Sequence, residues 1–144
     1  MKKILFILAA SFSLSAMAYD IENYQYEGTR FNFNYPSAKD HSQLTLVGIE
    51  SNYSDDIIIP DEVDGIPVTV IASNALYGRG FYSILLPRSL REIQSDAILS
   101  SSSYFTTLTI PENVEKIAKN AISAYSSTSN TSSSYFNLKL SSNS

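Results

Sequence analysis

The sequence contains no cysteine, no tryptophan and a single histidine, His41. Without cysteine there is no thiol nucleophile, no Cys-based zinc or iron–sulfur site and no disulfide framework, and one histidine cannot build a His-rich metal centre. Glycine and proline are scarce at five each, and no glycine follows Gly80. Basic residues are also in the minority, 10 against 14 acidic ones, for a net charge of −4. Counterion release from phosphate or anionic lipid needs clustered Lys and Arg, so no nucleic-acid partner is expected. No apolar run reaches the roughly 20 residues that a membrane-spanning helix requires. Any catalysis would rest on carboxylates, Tyr, Lys or Ser. What remains is 144 residues, 44% hydrophobic, with 25 serines and ten tyrosines. That is enough aliphatic material for one small domain and too much for a disordered chain.

The first segment reads as an export signal. Lys2 and Lys3 precede an apolar stretch from Ile4 to Leu14, and Ala16-Met17-Ala18 places small residues at both cleavage-pocket positions. Cleavage is expected after Ala18. Its loss would remove two lysines and leave 126 residues with 8 basic and 14 acidic side chains, a net charge of −6. The product is expected to be exported to the periplasm, the medium or the cell surface, with stability independent of redox conditions because it lacks cysteine.

The body of the chain repeats. Ile57-Ile58-Ile59-Pro60, Ile84-Leu85-Leu86-Pro87 and Leu108-Thr109-Ile110-Pro111 are apolar triplets closed by proline. Three residues beyond each proline stands Val63, Leu90 or Val114; then follow Ile71, Ile93 and Ile117, and four residues later Ala75, Ala97 and Ala121. The alanines are 22 and 24 residues apart, and the first unit carries five extra residues around Asp64-Gly65-Ile66-Pro67. Asn137-Leu138-Lys139-Leu140 reads as an incomplete fourth unit. A unit this short cannot enclose a core by itself, so it must stack its apolar positions on those of the next. Side chains two apart, such as Leu108 and Ile110, face one side of a strand, and proline ends the strand because it has no N–H for the ladder. Alanine is expected at a crowded inner corner.

One ambiguity stays open at this level. Val114, Ile117, Ala118, Ala121, Ile122 and Tyr125 also fall on one face of an amphipathic helix. A second short strand through Ile93 and Ile117, with one helical turn at the alanine, is the favoured account.

The pattern I-x-I-P-x-x-V-x-x-I-x-x-x-A resembles the BspA-type leucine-rich repeats, from roughly Leu44 to Leu140. The opening unit carries the most specific match, since Asp64, Gly65, Pro67, Val68 and Thr69 reproduce the family's D-G-x-P-V-T insertion. The chain departs from that family in having Ala72, Gln94 and Ala118 where glycine is usual, and Leu76, Ile98 and Ile122 where phenylalanine is usual. The missing glycines imply coils that turn less tightly. The resemblance implies a mainly β, right-handed leucine-rich repeat solenoid of about three to four coils on a secreted or surface-displayed protein, acting in adhesion or protein–protein contact and not in catalysis.

Ahead of the repeats, Thr29, Phe31 and Phe33 alternate with polar residues, and after a turn at 36–40 Leu44, Leu46 and Gly48 alternate again. Two strands joined by a loop, with both phenylalanines inward, would cover the first coil. The expected organisation is a signal segment over 1–18, a β cap over 19–50, repeats over 51–140 and a tail over 141–144. The last strand, ending at Leu140, is expected to leave an open edge at which a second chain could pair.

Few residues suggest chemistry. Asp55, Asp56, Asp61, Glu62 and Asp64 could offer oxygen ligands to calcium, but Val63 interrupts the alternation that an EF-hand loop needs, and a solvated turn is the favoured account. His41 sits in a polar loop beside Asp40 with no nucleophile arranged around it. The serine runs lack a G-x-S-x-G elbow. No catalytic residue, metal or cofactor is expected. Tyrosines recur in the segments joining the units, and Tyr77, Tyr82, Tyr104 and Tyr135 are the candidate ligand-binding residues, because tyrosine offers large, rigid, half-polar contact area. The competing account packs them inward under the loops. The expected function is a non-catalytic interaction or adhesion module for a protein or cell-surface partner, and the alternative is a carbohydrate-binding module that stacks sugars on those rings.

Overall fold

The computed structural model describes residues 19–50, 56–102, 104–124 and 137–141, and among them every regular element is a β-strand. The signal segment expected over 1–18, together with Tyr53, Asp55, Tyr125 and Tyr135, lies outside the described residues. The first three strands, β1 (Ile21–Tyr26), β2 (Thr29–Asn34) and β3 (Leu44–Glu50), run antiparallel in succession. The β2–β3 pair is the hairpin expected from the alternation, and Phe31 and Phe33 are both sealed from solvent. β1 was not expected. It joins β2 through Glu27-Gly28, both with positive φ (46° and 79°), the conformation a two-residue hairpin turn requires. Asn32 breaks the simple in-out alternation of β2. It is buried, and its Oδ1 accepts the Asn23 N–H at 2.8 Å.

The first repeat then supplies β4 (Asp56–Ile58), β5 (Glu62–Val63), β6 (Ile66–Ile71) and β7 (Leu76–Arg79). The five extra residues of this unit form the tight β5–β6 hairpin, turning at Asp64 and Gly65 with φ of 50° and 81°. The second repeat gives β8 (Ser83–Leu85), β9 (Glu92–Ile93) and β10 (Ile98–Ser100); the third gives β11 (Thr107–Ile110), β12 (Lys116–Ile117) and β13 (Ile122–Ala124), followed by β14 (Asn137–Leu140). Equivalent strands pair in parallel. Ile57 stands beside Ile84, Leu108 beside Leu138, Leu46 beside Ile71, Ile93 and Ile117 in succession, and Leu76 beside Ile98 and Ile122. The cap merges with the repeats because β3 pairs parallel with β6, giving the order β1-β2-β3-β6-β9-β12.

The corner at each alanine corrects the sequence reading. There is no helical turn. Ala75 and Ala121 donate their N–H to the carbonyls of Ala72 and Ala118, three residues back, closing a β-turn, and the residue before each alanine is left-handed: Asn74 (φ 62°), Asp96 (53°) and Asn120 (59°). A left-handed residue cannot continue a right-handed helix, and Asn and Asp tolerate that conformation better than other side chains. The corner therefore needs no glycine. The turns are also bonded between repeats, with Asn74 N–H donating to Asp96 O and Asp96 N–H to Asn120 O, each at 3.1 Å. The alanines are almost fully buried, so a larger side chain would meet the neighbouring repeat. The helix-like spacing in the sequence arises because the chain returns to the core after a turn and enters a third strand.

The prolines act as expected. Leu90 and Val114 donate their N–H groups to Pro87 O (3.1 Å) and Pro111 O (3.3 Å), which bends the chain back so that Leu90 is fully buried. One continuous core results, running from Phe31 and Phe33 through Ile57, Ile71 and Leu76 to Leu108 and Ala121. It ends abruptly. Ile117, Leu138 and Leu140, in register with buried Ile93, Leu108 and Ile110, are 42, 50 and 75% exposed. β12, β13 and β14 each lie at the end of their sheet.

Candidate functional site

The connections between repeats present aromatic residues. Phe81, just before β8, and Phe105, just before β11, are buried and meet edge to face, with ring centroids 5.0 Å apart and planes at 82°. The connection is fixed by polar contacts beneath it. Ser100 is fully buried, and its Oγ donates to Phe81 O at 2.8 Å while accepting Ser102 N–H at 3.1 Å. Ser102 Oγ in turn accepts the Tyr104 N–H at 3.2 Å. The outer pair, Tyr82 and Tyr104, is 41 and 71% exposed, with ring centroids 4.9 Å apart and planes at 66°. Each exposed ring is thus the sequence neighbour of a buried one. Rigid aromatic side chains with half-polar tips lose little conformational freedom on binding a partner.

Of the four tyrosines singled out in the sequence, the structure brings Tyr82 and Tyr104 together. Tyr77, on β7, is 51% exposed and lines a different, polar hollow of about 240 Å³ with Tyr19, Asn32, Gly48 and Asn74. Tyr135 lies outside the described residues. Sequence reasoning missed the base formed by Phe81, Phe105 and Ser100. Its signal was present but inverted, since the first connection reads Phe81-Tyr82 and the second Tyr104-Phe105.

A second surface lies on the first column of strands. Tyr26, Ile58, Leu85, Leu86 and the Asp61–Arg88 pair line a mostly apolar hollow of about 300 Å³. Leu85 is exposed, and its register partner Ile58 is half-buried. Three members of the acidic cluster, Asp56, Asp61 and Asp64, are taken up in the scaffold, while Asp55 lies outside the described residues. Asp61 accepts the Arg88 backbone N–H at 2.7 Å and pairs with the guanidinium at 2.8 to 2.9 Å, Asp56 accepts Ser83 Oγ at 2.8 Å, and Asp64 occupies the hairpin turn. Among the described residues, no group of three acidic or histidine side chains converges on a point where an ion could sit.

His41 stacks on Tyr35 at 4.0 Å and is exposed. Its neighbour Asp40 is held below the usual carboxylate range, first by the Ser42 hydroxyl 2.6 Å from Oδ1 and then by the Ser42 backbone N–H at 3.0 Å. These contacts order a surface turn. What the described surface offers is aromatic and aliphatic contact area flanked by hydroxyls.

Comparison with protein families matches no family model, and no curated protein matches. Among solved structures, the chain is similar to a leucine-rich repeat protein of T. pallidum, with 18% identity and a TM-score of 0.37. The likeness covers 62% of this chain and 63% of that one, so this chain spans less than two thirds of its length. The repeat geometry described above stands on strand register alone. Among the described residues, no helix is long and apolar enough to cross a membrane.

Proposed function

We propose that this chain is a short, exported leucine-rich repeat solenoid of BspA type, and that it binds a protein on a cell or matrix surface through its exposed aromatic connections. The observation that carries the reading is the Tyr82–Tyr104 pair next to a buried Phe81–Phe105 base. A fixed, solvent-facing aromatic pair has no evident use in holding the core, whereas such residues supply anchor contacts in protein interfaces. The in-register repeats fit a solenoid, and the Asp64-Gly65 hairpin falls on the insertion by which the sequence resembles that family.

The ring geometry favours a protein over a glycan. At 66°, one tyrosine sets its edge against the other's face, so the two rings do not form a flat platform for successive sugars. The test is binding of the purified chain to intact cells and matrix, before and after protease treatment of those surfaces. The expected result is binding that protease abolishes, that Tyr82→Ala with Tyr104→Ala weakens at least tenfold, and that is accompanied by a blank glycan array. Glycan-array binding lost in the same variant would establish the carbohydrate reading instead. N-terminal sequencing of the exported product, expected to begin at Tyr19, checks the export step.

A further inference from the structure

We propose that Tyr82 and Tyr104 are a site of oxidative modification, at which an oxidant of the haem-peroxidase class joins the two rings by a carbon–carbon bond and so staples the second repeat. Both rings are open to a reagent, at 41 and 71% exposed. Their centroids stand 4.9 Å apart. In a coupled pair of phenols that separation is about 4.3 Å, one C–C bond plus two ring radii, so bond formation asks for a shift of about 0.6 Å. Rotation about the side-chain bonds of two exposed residues supplies it. The joined rings are themselves twisted out of a common plane, so the starting angle of 66° need not be flattened.

The scaffold beneath the rings holds them in this position. Phe81 and Phe105, their sequence neighbours, are locked edge to face at 5.0 Å, Ser100 Oγ donates to Phe81 O at 2.8 Å, and Ser102 Oγ accepts the Tyr104 N–H at 3.2 Å. No other tyrosines are so placed. Tyr24 meets Phe33 and Tyr35 stacks on His41, and among the described residues no other two tyrosine rings come into contact. Groups held together in reacting geometry behave as if at a concentration far above any that separate molecules reach. Coupling within the chain therefore outruns coupling between chains.

The oxidant removes one electron from each phenol, and each phenol gives up its O–H proton, leaving two phenoxyl radicals. The ring carbons ortho to the two oxygens pair their unpaired electrons in the new bond, and each ring regains aromaticity as its ortho C–H proton moves to the phenolic oxygen. The two electrons and two protons reduce one hydrogen peroxide to two waters through the haem. The chain loses two hydrogens and keeps both hydroxyls. Tyr82 immediately precedes β8 and Tyr104 follows β10, so the bond closes a loop over all three strands of the second repeat. Like a disulfide, it restricts the unfolded chain across that loop, in a sequence that has no cysteine to make one. Coupling needs only the two rings and the oxidant, and holds whether or not the pair also binds a protein.

The test treats purified full chain at about 1 μM with a haem peroxidase and hydrogen peroxide, far below the millimolar effective concentration of groups linked in one molecule. The expected product is a single chain lighter by two hydrogens, with the fluorescence of a biphenol. Trypsin leaves Tyr82 in the peptide 80–88 and Tyr104 in the peptide 92–116, each holding one tyrosine, and mass spectrometry is expected to find these two peptides joined. Tyr82→Phe alone and Tyr104→Phe alone keep the packed ring but remove the phenol, and each is expected to abolish the joined peptides. Tyr35→Phe is expected to leave them in place. The cross-linked chain is expected to unfold at a higher urea midpoint than the untreated chain. A native chain that stays unmodified, coupling mainly between chains, or a joined pair other than 80–88 with 92–116 would each overturn the modification site. An unchanged midpoint would overturn the staple.

Discussion

The two ends of the repeat stack are built from similar strands and finished differently. At the first repeat, Ile57, Ile71 and Leu76 are sealed, because Phe31, Phe33 and Ile49 of the cap extend the same core over them. At the third, residues of matching type and register are left against solvent. The hydrogen bonds hardly differ. Ala72 N–H to Leu46 O, Gln94 N–H to Ile71 O and Ala118 N–H to Ile93 O are equivalent contacts in successive repeats, at 2.9, 3.0 and 2.9 Å. The difference between the ends thus lies in apolar burial, which supplies most of the stabilisation in a stack of this kind.

Removing the cap's contribution should give the largest effect. Phe33→Ala is expected to cost about 3–5 kcal/mol, a large part of the stability of a domain this size. Leu140→Ala, at the open end, should stay within about 0.5 kcal/mol. Urea unfolding in dilute solution, read as the shift in midpoint at constant slope, measures both. Next come the equivalent isoleucines: Ile93→Ala should cost about 2–5 kcal/mol and Ile117→Ala well under half of that, because only Ile93 is covered from both sides. Equal losses would mean that the last repeat is as enclosed as the middle one.

Overpacking should show the same gradient with smaller values. Ala97 lies between the corners of Ala75 and Ala121, and Ala97→Leu is expected to destabilise by about 1–3 kcal/mol. Ala121→Leu, with a neighbour on one side, should cost less. Thermal melts of the two variants compare them directly. The smallest effect belongs to the cap loop. Because the Asp40 carboxyl is held below its ordinary value of 3.8, its contribution is present above that value and is lost as pH falls through its lowered one. Asp40→Asn should therefore change the pH dependence of stability only below about pH 4, and only slightly for so exposed a group.

Much of the repeat could be read from the sequence because each feature had one physical cause. Proline closed each first strand, isoleucine marked each second, and alanine marked each corner. The β2–β3 hairpin followed from alternation at Phe31, Phe33, Leu44 and Leu46. The third strand of each repeat was hidden, since a corner followed by a short buried segment yields the same i, i+3, i+4 spacing as a helix. The residue that distinguishes them was present three times, as Asn74, Asp96 and Asn120 directly before alanine. β1 was obscured by its bulge, which breaks the alternation between Ile21 and Tyr24. Of the candidate site, the tyrosines were visible by type, but their pairing was not. Whether Tyr82 meets Tyr104 or Tyr77 depends on how successive connections lie in space, and the reversed Phe–Tyr order concealed their common base.

The most direct test of this account is amide hydrogen exchange at Ala72, Gln94 and Ala118, measured at low protein concentration so that the chain is free of other copies. These three amides make the same bond in successive repeats, so any difference reports the burial around them. The account predicts protection that falls in the order Ala72, Gln94, Ala118, with Ala118 exchanging through local opening of the last repeat. Equal protection at all three would contradict it, because the stack would then open only as a whole and the cap would confer no advantage on the end it covers.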